Sequence, residues 1–198
     1  MGFKMTKKEN LKLKKPDESV NFILWYWPRH TSVIEIVFNV LPEDVKENLD
    51  LQAMMDGSND PDEKFKDLIS PHYPASYKRA VGWLYDAEIN YDSGNYKRAS
   101  YCFGIATRYI IDTFSAPHCI SKNSNKDHDN FETVIDEYTP TVNYIPGDLK
   151  ILMQKGVEQG KKDWKNWKKS KNPSIAHNEA DIAASVTYSV IKDILKSK

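Results

Sequence analysis

Apolar positions along this chain recur mostly at helical spacing. From Ala75 to Asn90, the residues Tyr77, Ala80, Val81, Leu84 and Ala87 fall on one side of a 3.6-residue period, which predicts an amphipathic helix. Asp92-Ser93-Gly94-Asn95 then reads as a turn. Tyr96 to Thr113 is apolar on most faces, through Ala99, Cys102, Phe103, Ala106, Tyr109 and Ile110, as expected of a helix buried at the centre of a fold. Its stripe Tyr101, Ile105, Arg108, Asp112 carries two charges. A buried charge needs a partner, so that face is predicted to line a polar site. His128 to Tyr138, Gly147 to Ser170 and Ile175 to Lys196 read as three more helices.

The N-terminal third is less regular. Residues 1–20 are lysine-rich and end in Pro16-Asp17-Glu18, the composition of a flexible basic arm. The cluster Leu24-Trp25-Tyr26-Trp27-Pro28 opens the folded part. Val33 to Leu41 is β-branched and by itself fits a strand or a buried helix. Ser32-x-x-Glu35 reads as a capping box and favours the helix. Pro42 to Pro74 is predicted as mostly loop or short helix, broken by Gly57, Pro61, Pro71 and Pro74. Strand-like alternation is weak and there is no internal repeat. The expectation is an arm over 1–20 and one all-α domain over 21–198.

Charge narrows the function classes. The chain has 28 basic and 28 acidic side chains and no formal net charge, so global electrostatics do not draw it to nucleic acid or membrane. The charges are blocked: basic over Lys4–Lys15, acidic over Glu43–Glu63, basic again over Lys161–Lys171. No apolar run reaches the roughly 18 residues of a membrane span. The basic start leads into no apolar signal region, so the expected location is cytoplasmic or peripheral to a membrane. The opening Met1-Gly2 to Thr6 matches a myristoylation pattern short enough to arise by chance. Cys102 and Cys119 form no disulfide framework; the first is expected in the core, the second beside the site.

The candidate chemistry lies in one stretch. Asp112 closes a helix, His118 follows a Pro turn, and His128-x-x-x-Glu132 opens the next helix. Residues four apart share a helix face, so His128 and Glu132 can grip one ion together. With His118 they make three ligands of the types zinc takes and leave a position for water, the layout of a hydrolytic site. A lone His-x-x-x-Glu pair has an ordinary structural reading; the fuller pattern carries more weight.

Arg108-x-x-x-Asp112, His118 and His128-x-x-x-Glu132, preceded by Gly94-Asn95-Tyr96 and Phe103-Gly104, resemble the zinc-dependent phospholipase C family, which is related to single-strand-specific zinc nucleases. Upstream, His30, Gly57, Asp62 and His72 match further family positions, and the motif resemblance runs over roughly residues 25–140. It implies an all-α bundle, one to three zinc ions, and hydrolysis of a phosphodiester such as a phospholipid head group. It further implies three ion positions: one at His118, His128 and Glu132; a second at Asp62, His72 and Asp112 plus a helix His; a third at His30 and a bridging Asp112 with a processed terminal Trp. This chain departs from the family in two ways. Arg108 stands where the helix His would be, and a guanidinium cannot ligate metal. No terminal Trp is exposed by a visible cleavage signal.

Three readings of Arg108 follow. It grips a substrate phosphate, as a catalytic residue beside Asp62 as general base; it neutralises Asp112 and leaves a one-metal enzyme; or the site is a non-catalytic metal-binding relic. A nuclease-like phosphodiesterase is a further alternative, suggested by the basic helix around Trp164 and Trp167. That helix is more simply read as tryptophans packed inward under lysine stems, so nucleic acid is the less favoured partner. The expected partner is a phosphoester small molecule or phospholipid, with peripheral membrane contact compatible and oligomeric state open. His177 and Asp181, four apart, are not read as a ligand pair, since Asn178, Glu179 and Asp181 suit the positive end of a helix dipole; Gly156-x-x-x-Gly160 reads as a mark of close helix packing.

Overall fold

The computed structural model describes residues 27–67, 72–120 and 125–196, with side chains from Thr31 onward and excluding Asn125. Its elements are α1 (Trp27–Val40), α2 (Glu43–Lys46), α3 (Leu51–Glu63), α4 (Ala75–Asp92), α5 (Tyr96–Phe114), a 3-10 turn (Ala116–Cys119), α6 (Asn125–Asp136), α7 (Leu149–Ser170) and α8 (Pro173–Lys196). No strand occurs among the described residues, so the all-α reading holds. The arm over 1–20 lies outside them.

The mostly apolar helix foreseen over 96–113 is the axis of the fold. On α5 every residue from Cys102 to Phe114 is buried, including Arg108 and Asp112. Helices α3 and α4 flank it, α8 packs behind it, and α1 lies across α3 and α8. The interior joins Ile34 and Val37 of α1, Met54 of α3, Leu84 of α4, Phe103 and Ile110 of α5, and Ile191 of α8.

Two stretches differ from the sequence reading. Residues 51–63, expected as mostly loop or short helix, form one 13-residue helix. Asp50 caps it, accepting from the Ala53 amide at 2.9 Å and so satisfying one of the helix's free donors. Gly57 is a contact point in it rather than a breaker. A Cβ there would sit 2.1 Å from the Tyr101 carbonyl oxygen, and one on Gly104 would sit 2.0 Å from that of Met54. Two missing side chains thus let α3 and α5 touch backbone to backbone. The second difference is Ser32. Helix α1 begins at Trp27, so Ser32 lies inside the helix and does not cap it.

Glycine also sets the position of α7. A Cβ on Gly156 would meet the Phe114 ring at 2.5 Å, and one on Gly160 would meet Cys119 Sγ at 2.5 Å. The Gly156-x-x-x-Gly160 pair is therefore a close-packing device, and it brings α7 onto the 3-10 turn. A second, smaller core forms there from Ala116, Phe131, Trp164, Trp167 and Ala176. Phe131 meets both tryptophans edge-on, at 5.9 and 5.0 Å between ring centres, contacts worth about 0.5–1.5 kcal/mol each beyond burial. This locks α6 in rotation, and with it the neighbouring residue Glu132.

Candidate metal centre

The centre is built where α5 ends. Asp112 lies in its last turn, and the chain then leaves the helix at Ser115, whose backbone is extended. Pro117 lies in the first turn of the 3-10 segment, where a missing N–H costs nothing. The turn closes with the His118 amide donating to Ser115 O at 2.9 Å and returns His118 toward Asp112. Across the gap, α6 presents His128 and Glu132 on one face.

His118 Nε2 lies 3.6 Å from Glu132 Oε1, and His128 Nε2 lies 2.7 Å from the same oxygen. One donor atom from each of the three residues falls within 4.8 Å of the others. Ligand bonds to zinc are about 2.0–2.2 Å, so such donors can share one ion with little movement. Burial lowers the His118 pKa to about 4; His128 and Arg108 push the same way, and Glu132 opposes them. The imidazole is therefore neutral at physiological pH, the form that ligates metal. Glu132 is nearly inaccessible, so its charge requires a cation or donors close by. The donor set fits zinc.

His72 joins from the loop before α4. Its Nδ1 donates to the His118 carbonyl at 2.7 Å, and its ring centre lies 6.1 Å from that of His118. It supports the backbone of His118 as well as standing beside it.

The second group of expected ligands is arranged differently. Arg108 donates from Nε to Asp62 Oδ2 at 3.0 Å and from Nη2 to Asp62 Oδ1 at 3.2 Å, a two-pronged grip. Its Nη1 pairs with Asp112 Oδ1. Arg108 is 5% exposed, Asp112 4% and Asp62 25%. The guanidinium thus lies between two carboxylates the resemblance assigned to ions, and its donor atoms are engaged by them. A direct grip on a substrate phosphate would require one of these pairs to open. His118 Nε2 is 3.9 Å from Asp112 Oδ1, so the two groups abut. His30 lies on α1, but its side chain is outside the described residues.

A family model described as zinc-dependent phospholipase C matches residues 30–191. The chain belongs to the zinc-dependent phospholipase C family. No curated protein matches it. The family match runs well beyond the motif resemblance over 25–140 and takes in α7 and most of α8. Those helices carry none of the motif ligands; they are the packing that places them. A zinc-dependent family on this helical fold acts on phosphoester bonds, and among the described residues His118, His128 and Glu132 form a group that could hold a metal ion.

One further residue gains a place. Glu179 is buried on α8 and accepts from the Ala116 amide at 2.8 Å, bracing the turn that carries His118. Burial pushes its pKa well above the usual carboxylate range. It lies in the second turn of α8, which begins at Pro173, rather than at the helix start where its charge would suit the dipole. His177 and Asp181 do not form a ligand pair: His177 stacks on Tyr138 at 4.0 Å, and Asp181 accepts from Tyr138 Oη at 3.1 Å and the Thr141 amide at 2.7 Å. Trp164 and Trp167 are buried, as expected, which removes the aromatic basis for a nucleic-acid-facing helix.

Proposed function

We propose that this protein is a phosphodiesterase that works with one zinc ion, held by His118, His128 and Glu132, and acts on a phospholipid head group or a related small phosphoester. The observation that carries the reading is the contrast inside the site. Two imidazoles and one carboxylate converge with their donor atoms within 4.8 Å of one another, while Arg108 stands between Asp62 and Asp112.

Zinc bound at the trio supplies Lewis acidity toward the phosphoryl group and makes water acidic enough to serve as a nucleophile near neutral pH. The chain's own residues do the rest. His118 offers a neutral imidazole nitrogen. Glu132 contributes the negative charge that balances a cation, and its contact with His128 sets that ring's orientation. His72 steadies the His118 backbone. Asp62, the more exposed of the two carboxylates, is our candidate to take a proton from the attacking water, with Arg108 fixing its orientation. Water adds to phosphorus, the P–O ester bond breaks, and the proton ends on the leaving oxygen. Arg108 contributes positive charge beside a transition state that gathers negative charge.

The test is hydrolysis of short-chain phosphatidylcholine and of bis-nitrophenyl phosphate with and without added zinc. Zinc-dependent turnover of either supports the reading, and none on both refutes it. One observation favours a second reading, a metal-binding member without catalysis: the donor atoms of Arg108 are engaged by protein carboxylates. Zinc retained with no turnover is its signature.

A further inference from the structure

Beside the trio opens a cleft of about 750 Å³. His72, Tyr73 and His118 line one side. The other is α7, contributing Lys161, Lys165 and Lys168 around Val157 and the buried Trp164. The lysines are spaced four and three apart, so they share one helix face, and all three are exposed. Like charges at this spacing cost a helix about 0.2–0.5 kcal/mol per pair. Among the described residues no carboxylate lies in ion-pair contact with any of them, although other cations of this surface do have partners, such as Lys171 with Asp127 at 2.7 Å. The packing glycines Gly156 and Gly160 hold this charged face against the turn that carries His118.

We infer that the lysine wall is a subsite for a second negative charge on the substrate, so that the preferred phosphodiester bears an additional phosphate or similar anion on its head group. This rests on the phosphodiesterase reading and narrows its substrate class. Three ammonium groups beside the candidate metal ligands favour an anionic head group and oppose a quaternary ammonium one, because like charges repel most strongly where protein walls limit screening. Lysine suits this role: a mobile point charge tolerates several anion geometries, unlike the planar fork of arginine. The same chemistry is offered by a lipid and by its deacylated head group, and the two are separated by assay.

The experiment compares dihexanoyl phosphatidylinositol 4-phosphate, its deacylated glycerophospho derivative and dihexanoyl phosphatidylcholine as substrates of zinc-loaded protein. The wild type is expected to favour the phosphoinositide over phosphatidylcholine at least about tenfold in kcat/KM at low salt, less so as salt screens the charges. In the triple variant Lys161→Gln/Lys165→Gln/Lys168→Gln that ratio falls about tenfold, chiefly through KM. Faster turnover of the intact lipid than of the deacylated compound assigns the source as membrane lipid; equal rates assign a soluble phosphoester. A ratio unchanged in the triple variant, or a wild-type preference for phosphatidylcholine, overturns the inference. If nothing is turned over, the phosphodiesterase reading fails, and calorimetric binding of the deacylated compound decides the subsite separately: weakened binding in the triple variant sustains it, and equal binding overturns it. Tighter lysine-dependent binding of a single-stranded oligonucleotide also overturns it. The variant's circular dichroism melting curve checks its fold.

Discussion

The two halves of the site solve the same electrostatic problem in different ways. In one, Asp62 and Asp112 are held by a guanidinium that the chain itself supplies. In the other, Glu132 lies against the neutral His118 and its neighbour His128, with one donor atom from each of the three within 4.8 Å of the others. The first half is complete as folded. The second has a carboxylate and imidazole nitrogens aimed at a common point, an arrangement that gains most from an external cation. On the proposed reading, Arg108, where the family resemblance expects a ligand His, divides the centre: protein charge on the α3–α5 side, metal donors on the α6 side. The comparison teaches that a buried guanidinium can balance carboxylates in the way a bound cation would.

That comparison can be broken from either side. The largest effect is expected from Arg108→Met, which leaves Asp112 and Asp62 without their cation; removing one partner of a buried pair costs about 3–5 kcal/mol. Urea unfolding measures this, and a loss below about 1 kcal/mol would show that Arg108 is not what holds the carboxylates. Next comes His128→Ala, which removes one of three donors. Zinc is expected to be lost with at least about a hundredfold fall in phosphodiesterase activity, while the fold persists by circular dichroism. Gly104→Ala strikes the close approach of α3 and α5. The new methyl has no room beside the Met54 carbonyl, so a loss of about 2–3 kcal/mol in melting experiments is expected, with Asp62 drawn away from Arg108.

The smallest effect concerns Glu179 and depends on pH. Its folded pKa is raised above the unfolded value, so the protonated form favours folding; this contribution is complete below the unfolded pKa of about 4.5 and fades as pH rises through the folded value. Glu179→Gln imitates the protonated form and keeps an acceptor for the Ala116 amide. It should stabilise the protein by about 1 kcal/mol at neutral pH, a rise of about 2–4 °C in Tm, and by almost nothing near pH 4. A variant less stable than the wild type at neutral pH would show that the charged carboxylate is what the turn requires.

Legibility in the sequence followed range. His128-x-x-x-Glu132 and Arg108-x-x-x-Asp112 lie one helical turn apart, so their pairing was readable from spacing alone. The grip of Arg108 on Asp62, 46 residues away, was not, because only the crossing of α3 over α5 creates it. That crossing was hidden by the residues that make it. Gly57 and Pro61 read as breakers, yet Gly57 is where two backbones touch and Pro61 is accommodated inside the helix. The basic face of α7 was visible as a charge block, and its tryptophans were rightly placed inward, but nothing local revealed that the lysines border His118. The reach of the family to residue 191 went unseen because α7 and α8 contribute packing rather than ligands.

The division of the site is tested most directly by counting zinc per chain with plasma mass spectrometry, on protein purified without a metal-affinity column, for the wild type, His128→Ala and Arg108→His. The account predicts one ion in the wild type, none in His128→Ala, and more than one in Arg108→His, where an imidazole replaces the guanidinium between Asp62 and Asp112. Two or more ions in the wild type would contradict it by showing that Arg108 excludes nothing, and none after zinc is added back would show that His118, His128 and Glu132 do not form a metal centre.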